Sequence, residues 1–325
     1  MVVRLLLGFL RLLSHSVVTL LGLCVLAVRT RIGFVTLALF SVYLAARGCG
    51  GASLRIGTFN VREFGTRTDL VRLTELLSEA DSDVMAMQEI QRPDLMPHLV
   101  ARLSERSGRR YQAVVSACGG KRTMHVGFLY DTERVHLDQM QEFPELRDDR
   151  GGSCSIGARA GLLGVFSTNR WWSKKRYSLL TVHFPAGAQP VQVRERQTFW
   201  ARALQIATRI RDGGQGRVLV LGDVNSTGYR DNSYRERDAI HDAVARAGFR
   251  VLTPNLGCTE YFQPEGRSSF MPSHLDHIVG GTEVTSTAPA RVLGFCETLR
   301  CAPTQAMPSD YEAVSDHCPV LLTIK

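Results

Sequence analysis

The chain has 325 residues, of which 44% are hydrophobic and 22% are charged, a composition that predicts a globular protein with a sizeable core. Its formal net charge is +8, but five of the 39 basic residues lie in residues 1–48, which contain no acidic residue. The remaining 34 basic and 31 acidic residues leave a net charge of +3. A charge this small favours a nucleic-acid substrate only mildly and is not a strong argument for one.

Two apolar stretches, Leu5–Val28 and Ile32–Ala46, make up most of residues 1–48, and the basic segment Arg29–Arg31 separates them. The second stretch has 15 residues, which is short for a membrane-spanning helix of about 20 residues. A basic start, a short apolar run and then small residues are typical of a secretory signal. We therefore predict that residues 1–48 are a signal or membrane-targeting segment, and that the protein is exported and is secreted, periplasmic or membrane-anchored.

The targeting segment ends in Leu44-Ala-Ala-Arg-Gly-Cys49, which resembles a bacterial lipoprotein signal with Cys49 as the acylated residue. Arg47 stands where such signals usually have a small residue. Two alternatives therefore stay open, a lipid anchor on Cys49 and a conventional signal or anchor, either cleaved or uncleaved.

The chain has eight cysteines, and six of them lie beyond Cys49. An even number in an exported chain predicts disulfides. Cys296 and Cys301 are close enough in sequence to close a small loop, and Cys118 and Cys154 bracket one excursion of the chain. Cys318 is either paired or a buried thiol. No cysteine or histidine spacing is typical of structural zinc.

From Leu54 onward, β-like apolar runs alternate with amphipathic helical segments. The predicted strands cover residues 54–59, 84–88, 111–116, 126–130, 135–140, 162–167, 177–183, 218–223, 275–279 and 320–324, and the predicted helices cover residues 69–79, 95–107, 191–211 and 237–247. No linker, repeat or low-complexity tract divides this part, so we predict one α/β domain over residues 49–325.

Acids, amides and histidines cluster where the predicted strands end. Six short segments share this property: Phe59–Arg62, Met87–Glu89, Thr181–His183, Gly222–Asn225, His274–His277 and Ser315–Pro319. Any one of them is equally compatible with a helix cap or a turn. Together and in this order they are specific, because an α/β scaffold directs several strand ends into one cleft.

These six segments resemble the metal-dependent endonuclease/exonuclease/phosphatase superfamily, which includes deoxyribonuclease I-like enzymes. The similarity spans Leu54 to the C-terminus, and Phe59–Gly65 is especially similar to the deoxyribonuclease branch. Abasic-site endonucleases usually have an acidic residue where Arg62 stands, which argues against that branch. The resemblance implies a four-layer α/β/β/α sandwich of two packed mixed sheets flanked by helices.

The resemblance also implies a metal site. Phosphodiester hydrolysis needs a rate enhancement worth about 20 kcal/mol, of which a positioned acid or base supplies only about 3–5 kcal/mol. A hard divalent cation can supply much of the rest by neutralising charge on the transition state. We predict Mg²⁺, with Mn²⁺ or Ca²⁺ as alternatives, held by Glu89 with support from Asn60 and Asp316.

The predicted catalytic residues are His183, Asp223, Asn225, Asp276 and His317. By resemblance, Asp223 orients or deprotonates the attacking water, and Asn225 holds a phosphate oxygen. A carboxylate such as Asp276 fixes the tautomer of His317 and favours its charged form, which then stabilises phosphate charge. By resemblance, His183 contacts the scissile phosphate or the leaving group.

Arg62, Asn225 and Arg194 are the predicted substrate-binding residues. Arg194 opens the predicted helix after His183, where arginines are usually solvated. Lys174–Arg176 beside Trp171-Trp172 suits either a nucleic-acid strand or a lipid surface. We expect His125, His274 and His277 to be structural.

Three functions are compatible with this pattern. The first is an extracellular or membrane-anchored endonuclease acting on DNA, which we expect to be a monomer. The second is a phosphodiesterase or phosphatase acting on lipid headgroups, in the manner of sphingomyelinases, or on other small phosphate esters. The third is a non-catalytic binding module, which the filled site positions argue against.

Overall fold

The computed structural model of the protein describes residues 53–146, 159–169, 174–227 and 233–325. The targeting segment with Cys49, Cys154 and the Trp171-Trp172 pair lie outside the described residues, so the predictions made for them stay predictions. No helix within the described ranges combines the length and apolar character needed to cross a membrane.

Thirteen strands and five α-helices make up the described fold. In chain order, the strands are β1 (Leu54–Phe64), β2 (Val84–Ile90), β3 (Tyr111–Val115), β4 (His125–Asp131), β5 (Val135–Phe143), β6 (Gly161–Thr168), β7 (Arg176–His183), β8 (Arg217–Thr227), β9 (Phe249–Val251), β10 (Glu260–Phe262), β11 (Met271–Gly281), β12 (Arg291–Val292) and β13 (Val320–Ile324). The helices are α1 (Leu70–Ala80), α2 (Met96–Ser107), α3 (Pro190–Asp212), α4 (Ser233–Arg246) and the short α5 (Phe295–Thr298).

The ten strands and four long helices expected from the sequence correspond to observed elements. The sequence pattern missed β9, β10, β12 and α5, which have only two to four residues each. Such short pieces carry too few side chains to show a period. Asp69 caps α1 because its carboxylate accepts hydrogen bonds from the N–H groups of Val71 and Arg72.

The strands form two mixed sheets. The first has the order β12-β13-β1-β2-β4-β3, and the second has the order β10-β11-β8-β7-β6-β5, with β9 on β11. Each sheet contains one parallel pair, β1 with β2 and β7 with β8, and its other pairings are antiparallel.

The two sheets pack face to face across a core of buried apolar residues. Ile56 and Phe128 of the first sheet share this core with Phe166, Leu179 and Leu219 of the second. Burial of this apolar surface is the main force that holds the sheets together.

Helices cover the outer face of each sheet. Leu73 of α1 and Leu99 of α2 pack with Met85 of the first sheet, and Phe199 of α3 packs with Val220 of the second. The resulting order of layers is helix, sheet, sheet, helix, which confirms the predicted four-layer α/β/β/α sandwich.

Two disulfides lie in the C-terminal part of the chain. Cys258 pairs with Cys301, and Cys296 pairs with Cys318. The predicted Cys296–Cys301 pairing was therefore wrong, because the fold brings each of these cysteines next to a residue distant in sequence. Cys118 is also disulfide-bonded, and its predicted pairing with Cys154 falls outside the described residues.

Candidate active site

The alternation of side chains along the strands places the polar strand ends in one gap between the two sheets. In β1, Leu54 and Ile56 face the core between the sheets, and the same period of two continues through Thr58 to Asn60. In β8, Leu219 and Leu221 face that core, and Asp223 follows on the same side. On each strand, the row of inward-facing apolar residues thus ends in a polar residue.

The buried side-chain amide of Gln88 lies next to this gap, on the side of the core. Gln88 donates hydrogen bonds to the hydroxyls of Thr58 (3.1 Å) and Thr181 (3.0 Å), which belong to opposite sheets. The two sheets are therefore tied together directly beneath the polar cluster.

Asn60 lies at the centre of the cluster. Its Nδ2 is 3.2 Å from Glu89 Oε1, 2.9 Å from Asp223 Oδ2 and 3.5 Å from His317 Nε2. Its Oδ1 accepts a hydrogen bond from the N–H of Arg62 (3.0 Å). One side chain thus contacts residues from three of the six predicted segments.

Glu89 reaches the cluster through an irregular backbone. Regular alternation after Gln88 would direct Glu89 away from the gap, but Glu89 has a left-handed φ of 61° and the pairing of β2 with β4 shifts between Met87 and Ile90. Arg62, Glu63 and Asn225 also have φ between 35° and 53°. Such conformations cost about 1–3 kcal/mol each and concentrate at functional sites.

Gly222 allows Asp223 to approach β7 closely. A Cβ on Gly222 would lie 2.0 Å from the carbonyl oxygen of Val182, so no other residue fits this position without a shift of the backbone. The sequence Gly222-Asp223 is therefore a requirement of the strand pairing that carries the site.

Three side chains form a group that can hold a metal ion. Glu89, His183 and Asp223 each offer a ligand atom, and these atoms all lie within 4.8 Å of one another. His183 Nε2 is 3.6 Å from Glu89 Oε1 and 3.4 Å from Asp223 Oδ2. The two carboxylates are donors that suit Mg²⁺ or Mn²⁺, and the imidazole is a donor that divalent transition metals also accept.

The electrostatics of this group favour an added cation. Burial raises the pKa of Asp223 to about 7, and the neighbouring carboxylates of Asp276 and Glu89 add to the increase, whereas His317 and the Asn60 amide oppose it. Burial also lowers the pKa of His183 well below its usual value, so its ring is neutral and can donate a lone pair. The residues present therefore fit a divalent metal.

The metal-binding group differs in membership from the expected one. This candidate group contains Glu89, the predicted principal ligand, together with His183 and Asp223, which were predicted to be catalytic. Asp316 instead pairs with Arg62, whose Nε lies 3.6 Å from Asp316 Oδ2. The assignment of Asn60 and Asp316 as metal ligands stays a prediction.

His317 and Asp276 form a buried pair. His317 Nδ1 is 2.8 Å from Asp276 Oδ2, and His317 Nε2 is directed into the cluster, 3.7 Å from Asp223 Oδ2. Burial alone would lower the pKa of His317, but the charges of Asp276 and Asp223 outweigh it and raise this pKa well above its usual value. The ring is therefore a cation with one N–H bond aimed at the gap.

Two hydroxyl groups position this pair. Ser315 Oγ donates to the carbonyl of Asn60 (2.7 Å) and accepts from the N–H of His317 (3.0 Å). Thr259 Oγ1 accepts from the N–H of Asp276 (3.0 Å). His317 is thus linked through Ser315 to the backbone of β1, and the backbone of Asp276 is held by the side chain of Thr259.

The predicted substrate-binding residues lie in different surroundings. Asn225 donates from its backbone to Asp223 Oδ1 (2.9 Å) and from its side chain to the carbonyl of Phe184 (3.0 Å). Arg62 is beside the cluster, where Nη1 donates to the carbonyl of Tyr311 (2.9 Å). Arg194 is exposed on α3, and its role stays a prediction.

Arg196, two residues further along α3, is structural. It is 2% exposed, and its Nε and Nη2 donate to the two carboxylate oxygens of Glu236 at 2.7 and 2.8 Å. Its Nη1 also donates to the carbonyl of Gly187 (2.6 Å). This guanidinium joins α3 to α4 and is not available to a substrate.

Arg159 is a residue of the site that the sequence reasoning missed. Burial lowers the pKa of Arg159, and the charges of Glu89 and Asp223 act in the opposite direction, which places its guanidinium within electrostatic reach of the cluster. Its Nε is buried and has no hydrogen-bond partner among the described residues. The available signal was an arginine two residues before the wholly buried strand β6.

Comparison with known proteins identifies a family. The family model described as "Endonuclease/Exonuclease/phosphatase family" matches residues 57–317. No curated protein matches the sequence.

Solved structures share the fold at low sequence identity. A humanized TDP2 from D. rerio is 18% identical with a TM-score of 0.54, and the match covers 85% of this chain and 100% of that one. A mannosyl-6-phosphatase from Bacteroides thetaiotaomicron is 16% identical with a TM-score of 0.56, over 84% and 99% of the two chains. The human Nocturnin catalytic domain is 14% identical with a TM-score of 0.54, over 84% and 94%.

Proposed function

Because the chain belongs to the endonuclease/exonuclease/phosphatase family, whose enzymes hydrolyse phosphate esters with divalent metal ions, we propose that it is a metal-dependent phosphodiesterase that cleaves DNA internally. The observation that carries the proposal is the close group of Glu89, His183 and Asp223 beside the His317–Asp276 pair. We propose Mg²⁺ as its ion, with Mn²⁺ and Ca²⁺ as alternatives.

Each group has a separate task in this proposal. Glu89, His183 and Asp223 hold the ion, which when bound neutralises charge on the phosphoryl oxygens. The His317 imidazolium donates its Nε2–H to a phosphate oxygen, and Asp276 keeps this ring charged and oriented. Asp223 has a second task in the proposal: its Oδ1, which accepts a hydrogen bond from Asn225 N, would orient the attacking water.

DNA is favoured as the substrate by residues around the cluster. Arg62 lies on the side of Asn60 that opens away from the core, with 32% of its side chain exposed, and Arg159 adds a second guanidinium near Glu89 and Asp223. Two arginines close to the cluster suit the continuous phosphates of a nucleic acid.

The test is incubation of the purified full chain with supercoiled plasmid and Mg²⁺. We expect nicked circles as the first product, no cleavage with a chelator, and no cleavage by Glu89→Gln. Glu75→Gln is the matched control, because Glu75 lies on the outer helix α1 and pairs with Arg72 and Arg106. Intact plasmid under every divalent ion tried would exclude DNA as the substrate.

A small phosphate ester is the second candidate substrate. Its motivation is the shared fold with a mannosyl-6-phosphatase, and lipid headgroups belong to the same class. A parallel panel of sugar phosphates and sphingomyelin separates the candidates. Metal-dependent turnover of the panel with intact plasmid would establish the second candidate, and turnover of neither would refute hydrolysis.

We also propose export, with the protein acting as a monomer outside the cytoplasm. Disulfides persist in oxidising compartments, and Cys258–Cys301 and Cys296–Cys318 are formed between described residues. Mass spectrometry of the mature N-terminus tests the targeting segment and distinguishes cleavage before Cys49 with acylation from the conventional alternatives.

A further inference from the structure

His317 lies in a part of the chain that has little regular structure. Between β12 and β13, residues 293–319 are all described, and the short α5 is their one helix or strand. Asp276, the hydrogen-bond partner of His317, lies instead on the eleven-residue strand β11. The 2.8 Å contact between their side chains therefore joins a regular strand to an irregular segment, which other links must hold in place.

Thr259 is such a link, because it contacts the backbone on both sides of the pair. Its carbonyl accepts a hydrogen bond from the N–H of Cys318 (2.8 Å), and its hydroxyl accepts one from the N–H of Asp276 (3.0 Å). Its own N–H donates to the carbonyl of Ser273 on β11 (2.7 Å). Thr259 is fully buried. A displacement of Thr259 would therefore change the distance between His317 and Asp276.

Two disulfides enclose this link. Cys258 directly precedes Thr259 and is bonded to Cys301, and Cys318 directly follows His317 and is bonded to Cys296. The N–H of Cys301 donates to the carbonyl of Cys296 (3.2 Å). Residues 296–301 thus connect Cys258 covalently to Cys318, and the hydrogen bond from Cys318 to Thr259 closes a ring beside the catalytic pair.

The apolar support of this ring is small. Its buried cysteines belong to a cluster that is separate from the core between the sheets and has seven members: Cys258, Tyr261, Phe270, Phe295, Cys296, Tyr311 and Cys318. A core of this size buries little apolar surface, and small cores usually need cross-links to hold one conformation. The disulfides therefore supply the rigidity that packing alone does not.

We propose that Cys258–Cys301 and Cys296–Cys318 are positioning elements for catalysis, which hold Thr259 against Cys318 and thereby keep His317 on Asp276. The cysteines touch no substrate and act through Thr259 and the backbone of the catalytic pair. The expected effect on rate rests on the proposed hydrolysis, whereas the His317–Asp276 hydrogen bond can be measured without metal or substrate.

The test is proton NMR of the metal-free full chain. The Nδ1–H of His317 should give a low-field resonance that exchanges slowly with water and is absent in His317→Gln. In Cys258→Ser/Cys301→Ser this resonance should vanish, or exchange at least about tenfold faster, because local opening exposes the proton to water.

Plasmid cleavage by the same double variant supplies the second readout. Its kcat should fall about 100-fold, since a displacement of about 1 Å at a catalytic group can cost this much. Its affinity for Mn²⁺ should be unchanged, because Glu89, His183 and Asp223 lie on β2, β7 and β8, outside the cross-linked ring. A loss of kcat with unchanged metal binding separates positioning from general damage to the site.

A matched control and a second pair of variants make the outcome decisive. Arg109→Ala should destabilise the fold from the Asp83 end of β2 and should leave the His317 resonance and kcat unchanged. With both disulfides intact, Thr259→Val removes the hydroxyl that accepts from Asp276 and should weaken the resonance, whereas Thr259→Ser should retain it. These two variants test the link even if the cysteine variants do not fold.

The two proposals fail in different ways. A plasmid left intact by the unmodified chain would refute nuclease activity, while loss of the NMR signal in the double variant would still support positioning. A signal that persists unchanged in folded Cys258→Ser/Cys301→Ser or in Thr259→Val, or one that Arg109→Ala weakens equally, would overturn the positioning role.

Discussion

The carboxylates at the two ends of strand β2 have opposite surroundings. Asp83, directly before the strand, is fully buried and is contacted by Arg109 Nη2 (3.0 Å), Arg134 Nε (3.3 Å) and the N–H of Arg55 (2.8 Å). Glu89, near the other end, shares the Asn60 amide with Asp223 and lies beside a neutral histidine.

The difference identifies which carboxylates are structural. Buried charges are either paired within the protein or coordinate a metal. Arg109 also contacts Asp81 and Asp131, so one guanidinium serves three carboxylates at the first end of β2. At the second end the cationic His317 faces Asp276, and Arg159 lies at longer range. The protein supplies too little positive charge there, which is the condition for binding an added cation.

Removal of the Glu89 carboxylate should have the largest effect. Glu89→Gln is expected to lower metal-dependent phosphodiester hydrolysis about 1,000-fold, which corresponds to about 4 kcal/mol of transition-state stabilisation. Steady-state kinetics measure the loss. Denaturant unfolding in chelator should show unchanged or increased stability, because a like charge near Asp223 is gone; strong destabilisation would place Glu89 among the structural carboxylates.

Removal of the Arg109 guanidinium at the Asp83 end of β2 should lower the stability of the fold instead. Arg109→Ala leaves the buried carboxylate of Asp131 without its arginine and Asp83 with Arg134 as its remaining arginine, and it should lower the free energy of unfolding by about 3–5 kcal/mol. Arg110→Ala is the matched control, because that pair with Glu133 is exposed and is worth at most about 1 kcal/mol. Equal losses for the two variants would contradict the contrast between the ends of β2.

Addition of a divalent metal should stabilise the protein by binding at the Glu89 end of β2 and not at the Asp83 end. Mg²⁺ or Mn²⁺ at 100 times its dissociation constant should add about 2.7 kcal/mol to the free energy of unfolding. The gain should persist in Arg110→Ala and disappear in Glu89→Gln. A gain of the same size in Glu89→Gln would show that these ions bind elsewhere.

The smallest expected effect concerns the two arginines assigned to substrate. Arg159→Gln should lower kcat/KM about tenfold, or about 1.4 kcal/mol, because one charge-assisted contact to phosphate is lost. Arg194→Gln, on the exposed face of α3, should change kcat/KM by less than this. The reverse order would support the sequence-based prediction for Arg194 and remove Arg159 from the site.

Much of the fold and of the site could be predicted because the relevant patterns are local. The period of two in β1 and β8 places Asn60 and Asp223 on the inner face before any contact is known. Glu89 is different, since its left-handed φ and the shifted pairing of β2 with β4 reverse the direction that alternation predicts. Arg159 was missed although it precedes a buried strand, because its role depends on carboxylates from two other strands.

Pairings between distant segments lay beyond the sequence. Cys296 is five residues from Cys301, yet its sulfur bonds to Cys318, and the carboxylate of Asp316 lies 3.6 Å from the guanidinium of Arg62, a residue of a distant segment. These choices depend on which backbones the packed sheets bring together.

By itself, the sequence determined the alternation of strands and helices and the strand ends that carry polar groups, because side-chain periodicity is a property of neighbouring residues; the four layers were implied by the resemblance of six segments to a known family. Only the tertiary structure decided which carboxylates pair with an arginine and which lack such a partner and can bind a metal cation. The physical reason is that the charges around each carboxylate come from residues of different strands and sheets.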